Sequence, residues 1–174
     1  MKMSDQRDIQ ADPATVYAAL LSPEVLMECV PGAQEVTGTP EQGFAAVVVQ
    51  KVGPVKATFK GTVILSDMVE NTSLIISGEG KGGAAGFAKG GADVRLEPLD
   101  DGGTRLIYDV EAKVGGKLAQ LGSRLIDGFA KKMADQFFTR FQEVLEGPGE
   151  DADEGEAASE VGKKGWLSRI TKRS

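Results

Sequence analysis

The chain contains no histidine and a single cysteine, Cys29. That removes Ser-His-Asp triads, Cys-His nucleophile pairs and histidine-ligated metal sites from consideration. Cys29 stands beside Val30 and Pro31 at the close of a helical pattern, with no activating partner nearby, and reads as a buried structural thiol. Most carboxylates alternate outward beside lysines and arginines and form no evident acid–base pair, so no catalytic residue and no metal ligand is assigned. Gly78-Glu79-Gly80-Lys81-Gly82-Gly83 satisfies the dinucleotide spacing G-x-G-x-x-G, yet no helix follows to present its N-terminus to a phosphate. Gly116-Lys117 lacks the Walker spacing, and Asn71-Thr72-Ser73, without a secretion signal, is a turn. A binding protein fits this inventory better than an enzyme.

The elements that must position any site follow from periodicity. Met3–Gln10 reads as a first strand. Asp12-Pro13 caps a helix that runs through Leu21, and Ser22-Pro23-Glu24 starts a second, stopped by Pro31-Gly32. Strand-like runs follow near Val36, over Phe44–Val52, Val55–Asp67, Leu74–Gly80, Ala92–Leu99 and Thr104–Val114. The 23 glycines are read as hairpins and bent strands, with a flexible tip at Gly82–Phe87. Val55, Ala57, Phe59, Gly61, Val63 and Leu65 share one face of their strand, opposite Lys56, Thr58, Lys60 and Thr62. An antiparallel sheet with one wet face explains that alternation. One long helix, Lys117 to Leu145, about 43 Å at 1.5 Å per residue, covers the dry face. Its stripe is Leu118, Leu121, Leu125, Phe129, Met133, Phe137, Phe141 and Val144. The fold class is α+β, a curved antiparallel sheet gripping a long C-terminal helix.

Charge divides the 174 residues into three parts: a domain over 1–145, a linker over 146–160 with seven acids and no base, and a tail over 161–174 with five bases and no acid. The linker has almost nothing to bury and is expected to be disordered. In the tail, Trp166, Leu167 and Ile170 fall on one side at helical spacing, among Lys163, Lys164, Arg169, Lys172 and Arg173. These eight residues are the expected membrane-binding set, for an anionic surface. No apolar run is long enough to span a bilayer, the net charge of -6 gives no attraction to nucleic acid, and no signal peptide is evident. The expected location is cytoplasmic, at the inner face of the cell membrane.

The element order resembles the helix-grip fold of the START/Bet v 1-like (SRPBCC) superfamily. Val52-Gly53-Pro54-Val55-Lys56, the run Gly78 to Ala88, and Val114-Gly115-Gly116-Lys117-Leu118-Ala119-Gln120-Leu121-Gly122 narrow it: about residues 1–145 resemble the carbon monoxide dehydrogenase G-subunit family. The resemblance implies an accessory protein for a molybdenum-flavin-iron-sulfur hydroxylase of the carbon monoxide dehydrogenase type. Its implied work is tethering that enzyme to the membrane or carrying a membrane quinone to it, with no covalently bound cofactor. Superfamily members commonly enclose an apolar tunnel between sheet and helix. Small inward residues here (Ala46, Ala57, Gly61, Ala92, Ala112) are compatible with such a space or with close packing. The ligand-binding candidates, for a quinone or lipid, are Gln50, Phe59, Gly61, Tyr108, Leu121, Leu125, Phe129 and Met133. Tyr108 also suits a phenol at the rim, bonded to backbone or water. Around the tip, Gly86, Phe87 and Lys89 are candidates for docking the hydroxylase, or the tip gates the cavity. Two other functions stay open: a recruitment or assembly factor without ligand, and a polyketide cyclase-like enzyme.

Overall fold

The computed structural model describes residues 1–147, and residues 148–174 lie outside the described part. Seven strands form one antiparallel sheet: β1 Lys2–Ile9, β2 Ala33–Thr39, β3 Gly43–Val52, β4 Val55–Val69, β5 Ser73–Lys81, β6 Phe87–Pro98 and β7 Thr104–Gly115. Their spatial order is β1-β7-β6-β5-β4-β3-β2, so five neighbouring pairs are sequential hairpins and only β1 pairs out of sequence, with β7. Two short helices, α1 Pro13–Leu20 and α2 Pro23–Cys29, connect β1 to β2, and α3 Ser123–Glu146 ends the domain. Both short helices start as their sequences dictate: the Thr15 N–H donates to Asp12 Oδ1 at 2.9 Å and the Val25 N–H to Ser22 Oγ at 3.2 Å, each with proline in the first turn.

Two boundaries differ from expectation. The last helix begins at Ser123 rather than Lys117, because Gly116–Leu121 winds as a 3-10 turn and Gly122 sits at φ +93, a conformation no helix continues through. Leu118 and Leu121 therefore belong to that turn and not to the helical stripe, and the 24 residues of α3 span about 36 Å. β6 begins at Phe87 rather than Ala92, which shortens the glycine-rich tip to residues 82–86. That tip is a packed 3-10 turn, closed by the Gly82 N–H donating to the Gly86 carbonyl at 2.8 Å, with Ala85 buried.

The close-packed core sits at one end of the sheet. Ile9, Leu74, Val94, Leu96 and Leu106 point inward there against Val16 and Leu20 of α1 and the C-terminal half of α3. Phe141, fully buried, stacks on Phe137 and meets Phe138 edge-on. Each such side chain contributes about 1.5–3 kcal/mol by leaving water, enough to anchor α3 at that end.

Candidate functional site

Strand register stacks the inward residues of the sheet in rows, and the rows change in size along it. At the core end Leu74, Val94 and Tyr108 lie side by side. Two rows further come Phe44, Val63, Gly78, Gly90 and Ala112, then Val36, Ala46, Gly61, Gly80, Ala88 and Val114. Small residues thus fill the middle of the sheet's floor. A Cβ on Gly80 would meet only Phe59 Cβ within 4 Å, at 3.9 Å, so no α3 side chain touches that point of the floor, whereas Phe44 in the neighbouring row is buried. Opposite it, Ile126, Phe129, Ala130 and Met133 of α3 are half-buried, neither packed like Phe141 nor free in water. The α3 backbone approaches the sheet chiefly at the flanking strands β1 and β3. Between these half-buried surfaces lies the candidate groove, floored by small residues, with aromatics packed at one end.

The structure distributes the candidate ligand residues unequally. Gly61 lies on the floor, and Phe129 and Met133 form the helical wall. Phe59 is half-buried with its ring over Gly82, leaving no room for a Cβ there. Leu121 is half-buried in the 3-10 turn, and Leu125, 40% exposed, extends a methyl over Gly53. Tyr108 is 4% exposed and stacks on Phe138 with ring centroids 5.2 Å apart, so it builds the closed end. Gln50 points inward, but its Nε2 donates to the Pro31 carbonyl at 2.6 Å and fastens β3 to the turn after α2. Gly86 packs against Gly116, and Phe87, 41% exposed, lies over Gly115 with exposed Lys89 two residues on. The motifs around Gly53, Gly82–Gly86 and Gly115–Gly122 thus converge on the far end of the groove, away from Tyr108, where Val52, Ala85 and Leu118 are buried. Lys163, Lys164, Trp166, Leu167, Arg169, Ile170, Lys172 and Arg173 lie outside the described residues.

A polar cluster on β1 and α3 escaped sequence reasoning. Asp5 and Arg7 face inward, in register with Tyr108 and Leu106. Arg7 Nη2 meets Asp135 Oδ1 at 2.6 Å and Asp5 Oδ2 at 3.8 Å, its guanidinium lies 5.1 Å from the Phe138 ring centre, and Lys131 Nζ holds Asp135 Oδ2 at 3.2 Å. Hydrogen bonds from Arg7 and then Lys131 hold the Asp135 carboxyl below the usual range. Asp5, Lys131 and Asp135 border a cleft of about 310 Å³ that also touches Met3, Tyr108 and Asp127. The signal was the period-two placement of Met3, Asp5, Arg7 and Ile9 on the expected first strand, which sets Asp5 and Arg7 on the face of Ile9. Cys29 is fully buried and its thiol is pushed up to about 12, first by burial and then by Glu28. Among the described residues no group of His, Cys, Asp and Glu could hold a metal ion, and no helix is long and apolar enough to cross a membrane.

The family model of the carbon monoxide dehydrogenase G subunit, CoxG, matches residues 6–146, the sheet and α3 together. The chain belongs to the CoxG family. The three glycine motifs that meet at the groove's far end all fall within the matched stretch. Solved structures share this fold. A conserved protein from Geobacillus kaustophilus is 25% identical, with 83% of this chain and 95% of that chain covered at a TM-score of 0.78. A START superfamily protein from Mycobacterium smegmatis is 14% identical over 83% and 97% of the two chains, at a TM-score of 0.64. A protein from Chromobacterium violaceum is 17% identical over 83% and 96%, at a TM-score of 0.60. No curated protein matches the sequence. The fold is the START-like helix grip.

Proposed function

We propose that this member of the CoxG family is a non-enzymatic accessory protein that holds a membrane quinone or other lipid between sheet and α3, and serves a molybdenum hydroxylase of the carbon monoxide dehydrogenase type. The carrying observation is the pair of small-residue rows on the sheet floor, facing a half-buried apolar helix wall. A space with that lining suits a long hydrocarbon chain, because each methylene removed from water contributes about 0.8 kcal/mol without any directional partner. With the Gln50 amide committed to Pro31, shape and apolar contact do the holding. Family membership supports the partner, and the basic amphipathic sequence 161–174 supports attachment to the inner face of the membrane.

Lipids extracted from the purified full-length protein, identified by mass spectrometry and followed by quinone titration, test this reading. A stoichiometric isoprenoid quinone or lipid is expected. Gly80→Leu, which projects into the open floor, should abolish uptake while circular dichroism stays unchanged. Gly61→Phe is the poorer probe, since its Cβ would stand 3.0 Å from the Glu79 carbonyl oxygen. A folded wild-type chain that takes up neither quinone nor lipid would overturn the ligand and leave a recruitment factor.

A further inference from the structure

The sheet's outer face carries a charge pattern that the groove does not explain. Strand pairing sets Lys51 directly opposite Lys56, Lys60 opposite Lys81, and Lys89 opposite Lys113. All six are exposed, and among the described residues none makes a salt bridge. Glu79, between Thr62 and Lys89, is the one acid inside the cluster, while Glu35 lies at its β2 border and Glu111, beyond Lys113, is paired with Lys2. Like charges directly opposite on neighbouring strands destabilise a sheet, and three such pairs stand together in a chain of net charge -6. Lysines often guard sheet edges against aggregation, but here the edges are β1 and β2, and all six lysines sit on the interior strands β3 to β7. In the row Lys60–Lys81–Phe87–Gly115 the exposed Phe87 ring stands among them.

We infer that this face is a docking surface for an anionic lipid bilayer, and that it sets the far end of the groove, away from Tyr108, against the membrane. Three features favour lipid over a protein partner. Every cation is lysine, a hydrated point charge suited to a diffuse layer of phosphates, whereas protein interfaces are enriched in arginine and depleted of lysine. Basic residues around an exposed aromatic ring are the composition of surfaces that rest in the headgroup layer. The cluster also occupies the end of the sheet where the Gly53 turn, the 82–86 tip and the turn carrying Leu121 come together. The inference rests on the proposed function only in taking the ligand from a membrane.

The test uses the full chain, with the tail retained, on phosphatidylserine–phosphatidylcholine vesicles and on phosphatidylcholine alone. Lys60→Glu, Lys81→Glu and Lys89→Glu combined should lower affinity for the anionic vesicles by about tenfold or more, with an unchanged circular dichroism spectrum. In a Trp166→Phe background, Phe87→Trp emission should shift blue on anionic vesicles only. Ile64→Trp, on the same face beside Ser77, should stay unmoved. Charge reversal that leaves vesicle affinity intact would overturn the inference and assign binding to the tail. Phe87→Trp emission that ignores vesicles but responds to a purified molybdenum hydroxylase would also overturn it and make the face a protein-docking surface. Absence of a bound quinone moves neither readout, so a failed ligand reading is told apart from a failed surface.

Discussion

Cys29 and Asp135 show how position sets a side chain's chemistry. Cys29 is fully buried, and burial pushes its thiol up to about 12, so the thiolate hardly forms in neutral water. Alkylation by iodoacetamide should therefore track the denaturation curve, with no labelling of the native chain; reaction in native buffer at a free thiol's rate would contradict the burial. Asp135 works in the opposite direction. Its folded pKa is lowered by Arg7 and then Lys131, so it stabilises the fold above the unfolded carboxylate value and loses that contribution as pH falls through the folded one. Asp135→Asn should flatten the stability profile below about pH 4, measured by urea denaturation across pH. An acid limb unchanged by the substitution would show that the pair does not contribute. The inward phase of Tyr108 was legible because β7 alternates cleanly. The Arg7–Asp135 pair was not, since its members lie 128 residues apart and only the packing of α3 on β1 brings them together.

Among the elements, the glycine-rich stretch separates what sequence can and cannot tell. Gly86 has φ +111, and its Cβ would collide with the Gly115 carbonyl oxygen, so Gly86→Ala should cost about 3 kcal/mol or more. Gly83, at φ +62, has nothing within 4 Å of its Cβ position, and Gly83→Ala should cost only about 1 kcal/mol of backbone strain. Chemical denaturation of the two variants decides it, and equal losses would mean that the tip is not packed as described. Gly90 and Gly91 serve another purpose, inside β6. Their missing side chains accommodate the Glu111 and Ile76 carbonyl oxygens of the strands alongside. A glycine needed for a turn and one needed for close strand packing look alike in sequence, which is why periodicity alone starts β6 at Ala92. The start of α3 is hidden for a similar reason: Leu118 and Leu121 fit the helical period although Gly122 separates them from the helix.

For the whole molecule, the distribution of charge matters more than its total of -6. The lysine face and the tail are both basic, and the segment 146–160 between the domain and that tail holds seven acids. An anionic surface would attract both basic parts and repel the acidic segment joining them, so the lysine face and the tail hold the surface independently. Trp166, Leu167 and Ile170 would add a few kcal/mol by entering the interface, about 1.5–3 kcal/mol for each fully buried large apolar side chain as an upper bound. Lysines on the sheet contribute through charge alone, apart from Phe87. Deleting residues 161–174 should therefore sharply reduce sedimentation with anionic vesicles while the domain stays folded and keeps its ligand. What binding remains should vanish as salt rises from about 0.1 M to about 1 M, because the screening length falls from about 10 Å to about 3 Å and the lysine face has little apolar area to fall back on. The full-length chain should keep part of its binding at the higher salt through its three apolar tail residues. Equal sedimentation of full-length and truncated protein at low salt would sink the tether. Salt-resistant binding of the truncated protein would mean that apolar surface at the groove's far end, Leu121 and Leu125 among it, enters the bilayer directly.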